Sequence, residues 1–397
     1  MKQLRKISLF VILSLLLSFW AGCDPIPPLH LRHEQDIDFE FPTVQVDLDV
    51  MWHYDLTYEY GYDTIYDWRK EWKYGWDAQD SAIFGPIGYT RPDEFNIRRY
   101  YLAYDTLAPR SQVLRDYIHG YSFVAKYKFG YYDFLVWNDP KPVGGVQSLV
   151  VDEETTLDSV TVTTNQTQYA SRYQAPQRPY SYNQPDELFS AKANKLYISQ
   201  NVEDYDYYDE ETHTYYKYVD MTLFPVTYIY LTQVIIHHNW GKVVGTDGKA
   251  NFSNFAISSC LNSGIAGTDP ITVHYNNRLK QDVKLENGES VDIIGGRLMT
   301  FGLCEINPFR YANPLQIPEK IRKQRHYMDV NMLFGNGYDS TLVFDVTDQV
   351  LKRYRGGVIT VELNMDTIHS PSRAGGSGFD AVVEEWVEET HEFDVKD

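Results

Sequence analysis

Cysteine is scarce in this sequence. Its 397 residues include three cysteines, Cys23, Cys260 and Cys304, which are too few and too widely spaced for a disulfide-rich scaffold or a zinc site. We therefore expect no metal ion and no cofactor. If Cys23 is modified, only Cys260 and Cys304 remain to form a disulfide. The sequence leaves two interpretations open, a disulfide between them or two separately buried thiols.

Positive charge is also in short supply. Lysine and arginine together number 36, against 55 aspartates and glutamates, so the formal net charge is −19. A nucleic-acid-binding surface needs lysine and arginine to neutralise phosphates, and this balance disfavours nucleic acid as a partner. The densest basic stretch, residues 320–325, is short and indicates a solvated surface.

Catalytic sequence patterns are missing as well. The chain contains no Gly-x-Ser-x-Gly elbow, no His-Glu-x-x-His pair and no phosphate-binding loop. His237 and His238 are adjacent, and adjacent side chains of a strand point to opposite faces, so we do not expect them to bind one metal ion together. The acidic residues at 203–211 lack the spacing of a calcium loop and indicate a hydrated hairpin tip. The sequence predicts a protein that is not an enzyme.

One long apolar run is present, close to the N-terminus. Lys2, Arg5 and Lys6 precede an apolar stretch that ends at Trp20. A basic head followed by a short apolar body is typical of a secretory signal peptide rather than of a transmembrane helix. We assign residues 1–22 to this signal peptide.

The residues after the apolar run resemble a bacterial lipobox, in which a cysteine is diacylated and becomes the new N-terminus. Ala21 and Gly22 precede Cys23, although Trp20 stands where a lipobox usually has an aliphatic residue. The resemblance implies a lipid anchor at Cys23 and a lipidated tether over residues 23–36, whose prolines disfavour a helix. The competing interpretation is an ordinary signal peptide that is cut nearby.

Aromatic and β-branched residues dominate the remainder and predict an all-β protein. Tyrosine occurs 33 times and aromatic residues make up 15% of the chain, a composition that suits pleated sheets. The clearest strand places Val44, Val46, Leu48 and Val50 at alternate positions. This spacing predicts a strand with one buried face.

Two domains are predicted from the length of the chain. We place the N-terminal domain at residues 37–217 and the C-terminal domain at residues 218–397. Within the first, residues 122–129 and 131–137 are strand-like and flank Gly130, which predicts a hairpin.

The second half carries further strand patterns and one clear helix signal. Residues 220–236 form the longest apolar run of strand type and predict the first strand of the C-terminal domain, with Pro225 at an edge or bulge. A helix is predicted with Thr347 as its N-cap and with Gly356 just beyond its end.

Three tryptophans recur at four-residue spacing, namely Trp68, Trp72 and Trp76. On a helix this spacing places them on one face. One interpretation is an aromatic platform on which a sugar stacks, and the other is an amphipathic segment that covers a sheet. Exposed and coplanar rings would favour the platform.

Motifs spread over most of the mature chain carry a resemblance to a known family. They are the strand that ends at Trp52, residues 130–138, 185–189, 300–302 and 344–348, and Gly378 and Phe379 with Trp386. In this order, and after Cys23, they resemble the fimbrillin-like lipoproteins that form type V pili, including their minor-fimbrial-subunit-like branch.

The resemblance implies an all-β fold of two transthyretin-like Greek-key β-sandwich domains in tandem, with few short helices. It also implies a non-enzymatic lipoprotein of the outer membrane and cell surface, or of the fimbrium, that acts as a pilus component or adhesin. Its partners would be other pilus subunits, joined by strand exchange, and a host or bacterial surface ligand. The alternative function is a glycan-capturing surface lipoprotein of a polysaccharide-uptake system.

Family members that polymerise are cut after an arginine near an N-terminal strand, which opens a groove for a neighbour's donor strand. Arg32 is the candidate processing site, because it lies between the proline-rich tether and the first strand. The competing interpretation is that Arg32 is only a tether residue of an anchor subunit, which keeps its lipid and is not cut. Loss of residues 23–32 alone would not empty a groove, so a shaft subunit would need a later cut, for which Arg69 is the next arginine. The expected donor strand is residues 379–395.

Overall fold

The computed structural model of the chain describes residues 42–51, 58–60, 64–103, 112–142, 147–153, 157, 160–167, 181–308, 316–368 and 370–371. Cys23, Arg32 and the expected donor strand lie outside these ranges. Within them, no helix is both long enough and apolar enough to cross a membrane.

Strands make up most of the described residues, as the all-β prediction requires. They are β1 (Thr43–Val50), β2 (Tyr58–Tyr60), β3 (Thr64–Tyr66), β4 (Glu94–Ala103), β5 (Gln112–His119), β6 (Ser122–Lys126), β7 (Gly130–Asn138), β8 (Leu149–Asp152), β9 (Thr161–Thr164), β10 (Ser181–Asn183), β11 (Phe189–Ile198), β12 (Tyr207–Asp209), β13 (Thr214–Pro225), β14 (Tyr228–His237), β15 (Val243–Ala256), β16 (Ser258–Cys260), β17 (Pro270–Lys284), β18 (Ser290–Thr300), β19 (Tyr327–Phe334), β20 (Asp339–Asp345) and β21 (Gly357–Asn364). The short α-helices are α1 (Trp68–Glu71), α2 (Ala78–Phe84), α3 (Glu319–Arg322) and α4 (Thr347–Lys352).

Two large sheets organise these strands. Sheet I has the order β5-β4-β7-β11-β13-β1-β6, and β12 pairs with β13. Sheet II has the order β20-β19-β15-β17-β18-β14-β21, and β10 pairs with β17. One of the two closes almost into a barrel and the other curls into a half-barrel. Two β domains are therefore indicated, as expected.

Each large sheet has an apolar core. In sheet I, β1 contributes Val44, Val46, Leu48 and Val50, all buried, so the predicted inward face of this strand is confirmed. Strand β1 is central, because it pairs in parallel with β13 on one side and antiparallel with β6 on the other. The core of sheet II is larger and draws on β14, β15, β17, β18, β19, β20 and β21 together with helix α4.

The predicted hairpin around Gly130 is wrong. Strand β6 pairs with β1, whereas β7 pairs with β4 and β11 on the other side of the sheet. The connection between them buries the side chain of Tyr127, whose ring centroid lies 5.1 Å from that of Tyr132. Apolar burial of Tyr127 thus replaces the tight turn that the glycine suggested.

The single strand predicted at residues 220–236 is wrong too, since it is two strands in two sheets. Strand β13 ends at Pro225, and β14 begins at Tyr228 in sheet II. Between them, Val226 N–H donates to the Leu188 carbonyl, and Leu188 N–H donates to the Thr227 hydroxyl. The domain boundary expected at 217/218 falls inside β13.

Helix α4 confirms the predicted helix, although its cap differs. The helix begins at Thr347, and the N-cap position is Val346, without a side-chain cap bond. The Thr347 hydroxyl instead accepts from His326 N–H at 2.8 Å. Gly356 has φ +92° beyond the helix end, and a Cβ there would lie 2.3 Å from the Ile229 carbonyl oxygen, so only glycine fits.

Candidate functional sites

The three tryptophans do not form a flat exposed platform. Helix α1 ends at Glu71, so Trp72 and Trp76 do not share a helical face with Trp68. All three side chains are partly buried and pack against the core of sheet I, and the Trp72 and Trp76 rings are tilted by 47°. The expectation of a glycan platform at these residues is not met, and they cover a sheet instead.

Tyrosines on strands β12 and β13 form an exposed aromatic surface. Tyr207 lies opposite Tyr216 across the two strands, with ring centroids 6.0 Å apart. Tyr218 follows on the same face of β13, and its ring stacks on that of Tyr216 at 6.5 Å with an interplanar angle of 17°. Tyr207 is 52% exposed and Tyr218 is 43% exposed. We call these three residues the tyrosine face.

Strand alternation explains why the tyrosine face points outward. Val219 and Met221 of β13 turn toward the core of sheet I, so the alternate residues Tyr216, Tyr218 and Asp220 face solvent. Aromatic pairs across strands each stabilise a sheet by about 0.2–1 kcal/mol. The tyrosine pairs therefore stabilise the β12–β13 hairpin on which they lie.

Acidic side chains border the tyrosine face. Asp206 accepts a 2.8 Å hydrogen bond from Tyr218 N–H, Asp220 is exposed, and Asp47 of β1 lies opposite Asp220. Within the acidic stretch, Val202–Asp204 form a 3-10 helix, and β12 forms the hairpin that the sequence indicated, since it pairs antiparallel with β13. The alternation of tyrosine along β13 was the available signal for a patterned face.

A second set of polar residues fastens residues 66–91 to sheet II. Asp80 is fully buried, and its carboxylate accepts from Tyr74 Oη at 2.9 Å, Arg278 Nη1 at 2.7 Å and Lys280 Nζ at 2.5 Å. Burial, and next the bond to Asp80, raise the pKa of Tyr74 well above its usual range. The Tyr74 ring lies against Gly295, where a Cβ would sit 2.3 Å from it.

The buried amide of Gln233 fastens the same segment. Its Oε1 accepts from Lys73 N–H at 2.8 Å, and its Nε2 donates to the Glu71 carbonyl at 2.7 Å and to Thr360 Oγ1 at 2.9 Å. A buried amide that meets several backbone partners fixes the register of the segment on the sheet. The segment at residues 66–91 therefore packs against sheet II as part of the fold.

Glu187, in the motif at residues 185–189, links Thr90 to Arg297 of β18. We call these three residues the junction. One carboxylate oxygen accepts from Arg297 Nη2 at 3.1 Å, and the other accepts from Thr90 N–H at 2.8 Å and Thr90 Oγ1 at 2.6 Å. Arg297 is 1% exposed, and burial lowers its pKa while Glu187 opposes that change. This motif thus holds the halves of the chain together.

The cysteines occupy different environments. Cys304 is buried, and burial raises the pKa of its thiol to about 11, which makes it a poor nucleophile at neutral pH. Cys260 is partly exposed on β16. Among the described residues, no disulfide joins the two, so the pairing that the sequence left open is not formed here.

In the described part of the chain, no group of three or more histidine, cysteine, aspartate or glutamate side chains is arranged to hold a metal ion. His237 and His238 contact different carboxylates, because His237 Nδ1 lies 2.7 Å from Glu289 and His238 Nδ1 lies 2.7 Å from Asp366. Strand β14 ends at His237, and His238 has a left-handed backbone with φ of 51°, so the strand alternation assumed for the pair does not apply, and both side chains line one cleft.

No protein-family model matches the chain, and no curated protein matches it in sequence. Solved structures do resemble it. A candidate adhesin from Bacteroides ovatus has 12% identity and a TM-score of 0.47, over 86% of this chain and 97% of that one. A candidate adhesin from Bacteroides thetaiotaomicron has 10% identity and a TM-score of 0.44, over 82% and 93%.

The fimbrial anchor protein Mfa2 from Porphyromonas gingivalis is also similar, with 10% identity and a TM-score of 0.38, over 81% of this chain and 90% of that one. The chain is therefore structurally similar, over most of its length, to candidate adhesins of Bacteroides and to a fimbrial anchor protein.

Proposed function

We propose that this protein is a non-enzymatic cell-surface lipoprotein that works by binding, as an adhesin or a fimbrillin-like pilus component. The tyrosine face is the observation that carries the proposal. Exposed aromatic patches on a folded domain mark interaction surfaces, and tyrosines provide rigid contact area that is both apolar and able to hydrogen-bond. We also propose that the chain forms two transthyretin-like Greek-key β-sandwich domains in tandem.

Replacing both Tyr207 and Tyr218 with serine should reduce adhesion while leaving the fold intact, because both rings lie outside the core. We expect about tenfold weaker binding or more. The measurement is the attachment of protein-coated fluorescent beads to epithelial cells and to neighbouring bacterial species, over a range of coating densities.

The matched control is Tyr117→Ser, which removes a tyrosine of similar exposure, 49%, from strand β5. Equal attachment by the double variant and by the unchanged protein would remove the tyrosine face from the proposal. Failure of the unchanged protein to attach to any cell type would count against an adhesive role.

Membrane anchoring through Cys23 is part of the proposal. Cys23→Ser should release the protein from the outer membrane into the soluble fraction, because residues 24–397 contain no apolar run long enough to hold it there. Cell fractionation followed by immunoblotting measures the change. Unaltered membrane partition of the variant would contradict the lipid anchor.

Assembly by strand exchange is supported by the place of β1 in sheet I. A cut at Arg32 would leave β1 joined to the rest of the protein, whereas a cut at Arg69 would sever that covalent link and allow β1 to be displaced from between β13 and β6. Arg69 has an accessible side chain, 59% exposed. We therefore propose that a shaft role depends on cleavage at Arg69, and that a protein cut nowhere, or only at Arg32, serves as an anchor or a stand-alone adhesin.

A further inference from the structure

One tryptophan stands apart from the core in sheet II. Trp240 is 80% exposed and lies in the turn between β14 and β15. Tryptophan is the largest apolar side chain and is highly buried on average, so this exposure distinguishes Trp240.

The turn that carries Trp240 is fixed in place. Asn239 is buried, its Oδ1 accepts from Val243 N–H at 2.7 Å, and its Nδ2 donates to Asp292 Oδ2 at 2.5 Å. His238 and Trp240 both adopt left-handed backbone angles, with φ of 51° and 45°, a conformation that such residues rarely take. The backbone of the turn is therefore held in place, and the indole projects from it into solvent.

A cleft of about 500 Å³ opens beside this turn. It is lined by His237, His238, Glu289, Glu362, Leu363 and Asn364. The His238 ring lies nearly parallel to that of Trp240, with centroids 6.0 Å apart and an interplanar angle of 8°. The indole therefore neighbours the cleft through its stacking contact with His238, which is a lining residue.

Carboxylate, imidazole and amide groups line the cleft. His237 lies between two carboxylates, 2.7 Å from Glu289 and 3.5 Å from Glu362. Hydrogen bonding from His237 is the main reason that the pKa of Glu289 falls below its usual range, so this carboxylate remains an acceptor. Asn364 adds an amide that can both donate and accept.

We propose that Trp240 and this cleft form a binding site for a neutral oligosaccharide. The flat indole suits the C–H face of a pyranose ring, and the mixed donors and acceptors suit hydroxyl groups, which both donate and accept. A cationic peptide would use only the acceptors, and an acidic sugar would be repelled by Glu289 and Glu362. The proposal goes beyond the tyrosine face, which lies on the other large sheet.

The test uses isothermal titration calorimetry of the lipid-free protein with cellotetraose, laminaritetraose and chitotetraose. We expect at least one of them to bind, and Trp240→Ala to weaken that binding about tenfold or more, while Trp240→Phe retains part of it. Glu362→Gln should weaken binding because the carboxylate is the stronger acceptor, with an unchanged circular dichroism spectrum. Tyr117→Ala is the control and should bind as the unchanged protein does.

Three results would overturn the proposal. One is that none of the neutral tetrasaccharides binds, and another is that Trp240→Ala binds as well as the unchanged protein. The third is that tetragalacturonate or an arginine-rich peptide binds through Trp240 in preference to the neutral sugars. None of these results affects the bead attachment assay of the tyrosine face, so the two proposals fail separately.

Discussion

Glu187→Leu is expected to lower the free energy of unfolding by about 3–5 kcal/mol, because it leaves the charge of Arg297 buried and unpaired. Arg297 would retain only long contacts to the carbonyls of Ile87, at 3.4 Å, and Gly88, at 3.5 Å. Thr90 would lose its carboxylate acceptor as well. Urea unfolding followed by tyrosine and tryptophan fluorescence measures the loss.

The double variant Glu187→Leu/Arg297→Met separates the charge from the packing. Removing both members of a buried ion pair often costs little, so we expect it to be more stable than Glu187→Leu alone. Glu319→Leu is the control on the exposed pair with Lys323, whose side chains are 70% and 74% exposed, and should change stability by less than about 1 kcal/mol. A loss below about 1 kcal/mol for Glu187→Leu would show that the buried pair does not hold the junction.

A chain that begins at residue 70 is expected to expose the core of sheet I, whereas one that begins at residue 33 should fold as the mature protein does. The shorter chain lacks β1 and its four buried apolar side chains, each of which contributes about 1.5–3 kcal/mol when buried. We expect it to bind a hydrophobic dye and to form ladders on mild gels. A synthetic peptide of residues 43–50 should suppress both effects by refilling the groove.

The proposed donor can be tested in the same experiment with a peptide of residues 379–395. If it replaces β1, it should also suppress dye binding, and a peptide of the same composition in scrambled order should not. A monomeric chain from residue 70 that binds no dye would contradict the groove. Ladders formed by the chain from residue 33 would show that removal of β1 is not required for assembly.

Local patterns in the sequence predict much of the fold. Alternation in β1 predicts its inward face, since a half-buried strand must place apolar side chains at every second position. The strand-like run at residues 131–137 likewise anticipates β7, Gly130–Asn138, within one residue of each end. These features depend on neighbours in the sequence, which is why they can be read without a structure.

Pairing between distant segments cannot be read in the same way. Strand β1 lies beside β13, which begins at Thr214, and no local pattern encodes that choice. The prediction of a hairpin at Gly130 is wrong for a related reason. Tyr127 is buried in a core that distant strands complete, and no local pattern shows that core. Asp80 and Glu187 are two among 55 acidic residues, and only their distant cationic partners distinguish them.

The candidate sites also differ in how far local sequence patterns predict them. The four-residue spacing of the tryptophans predicts a shared helical face. Helix α1 ends after one turn, however, and the three rings pack against the core of sheet I. Trp240 belongs to no repeated pattern. The one local signal for its exposure is the run Asn239-Trp240-Gly241 after a long apolar strand, since asparagine and glycine favour turns.

The central position of β1 has a mechanical consequence. The expected lipid tether lies directly before this strand, so a load that passes from the membrane into the protein along the chain enters at Thr43. There it meets a strand with hydrogen-bonded neighbours on both sides. A pull along β1 loads these bonds in shear, so many must break together, whereas the bonds of a peeled edge strand break in turn. The strand that would have to leave for a subunit to polymerise is thus the strand that would hold an uncut protein to its cell under flow.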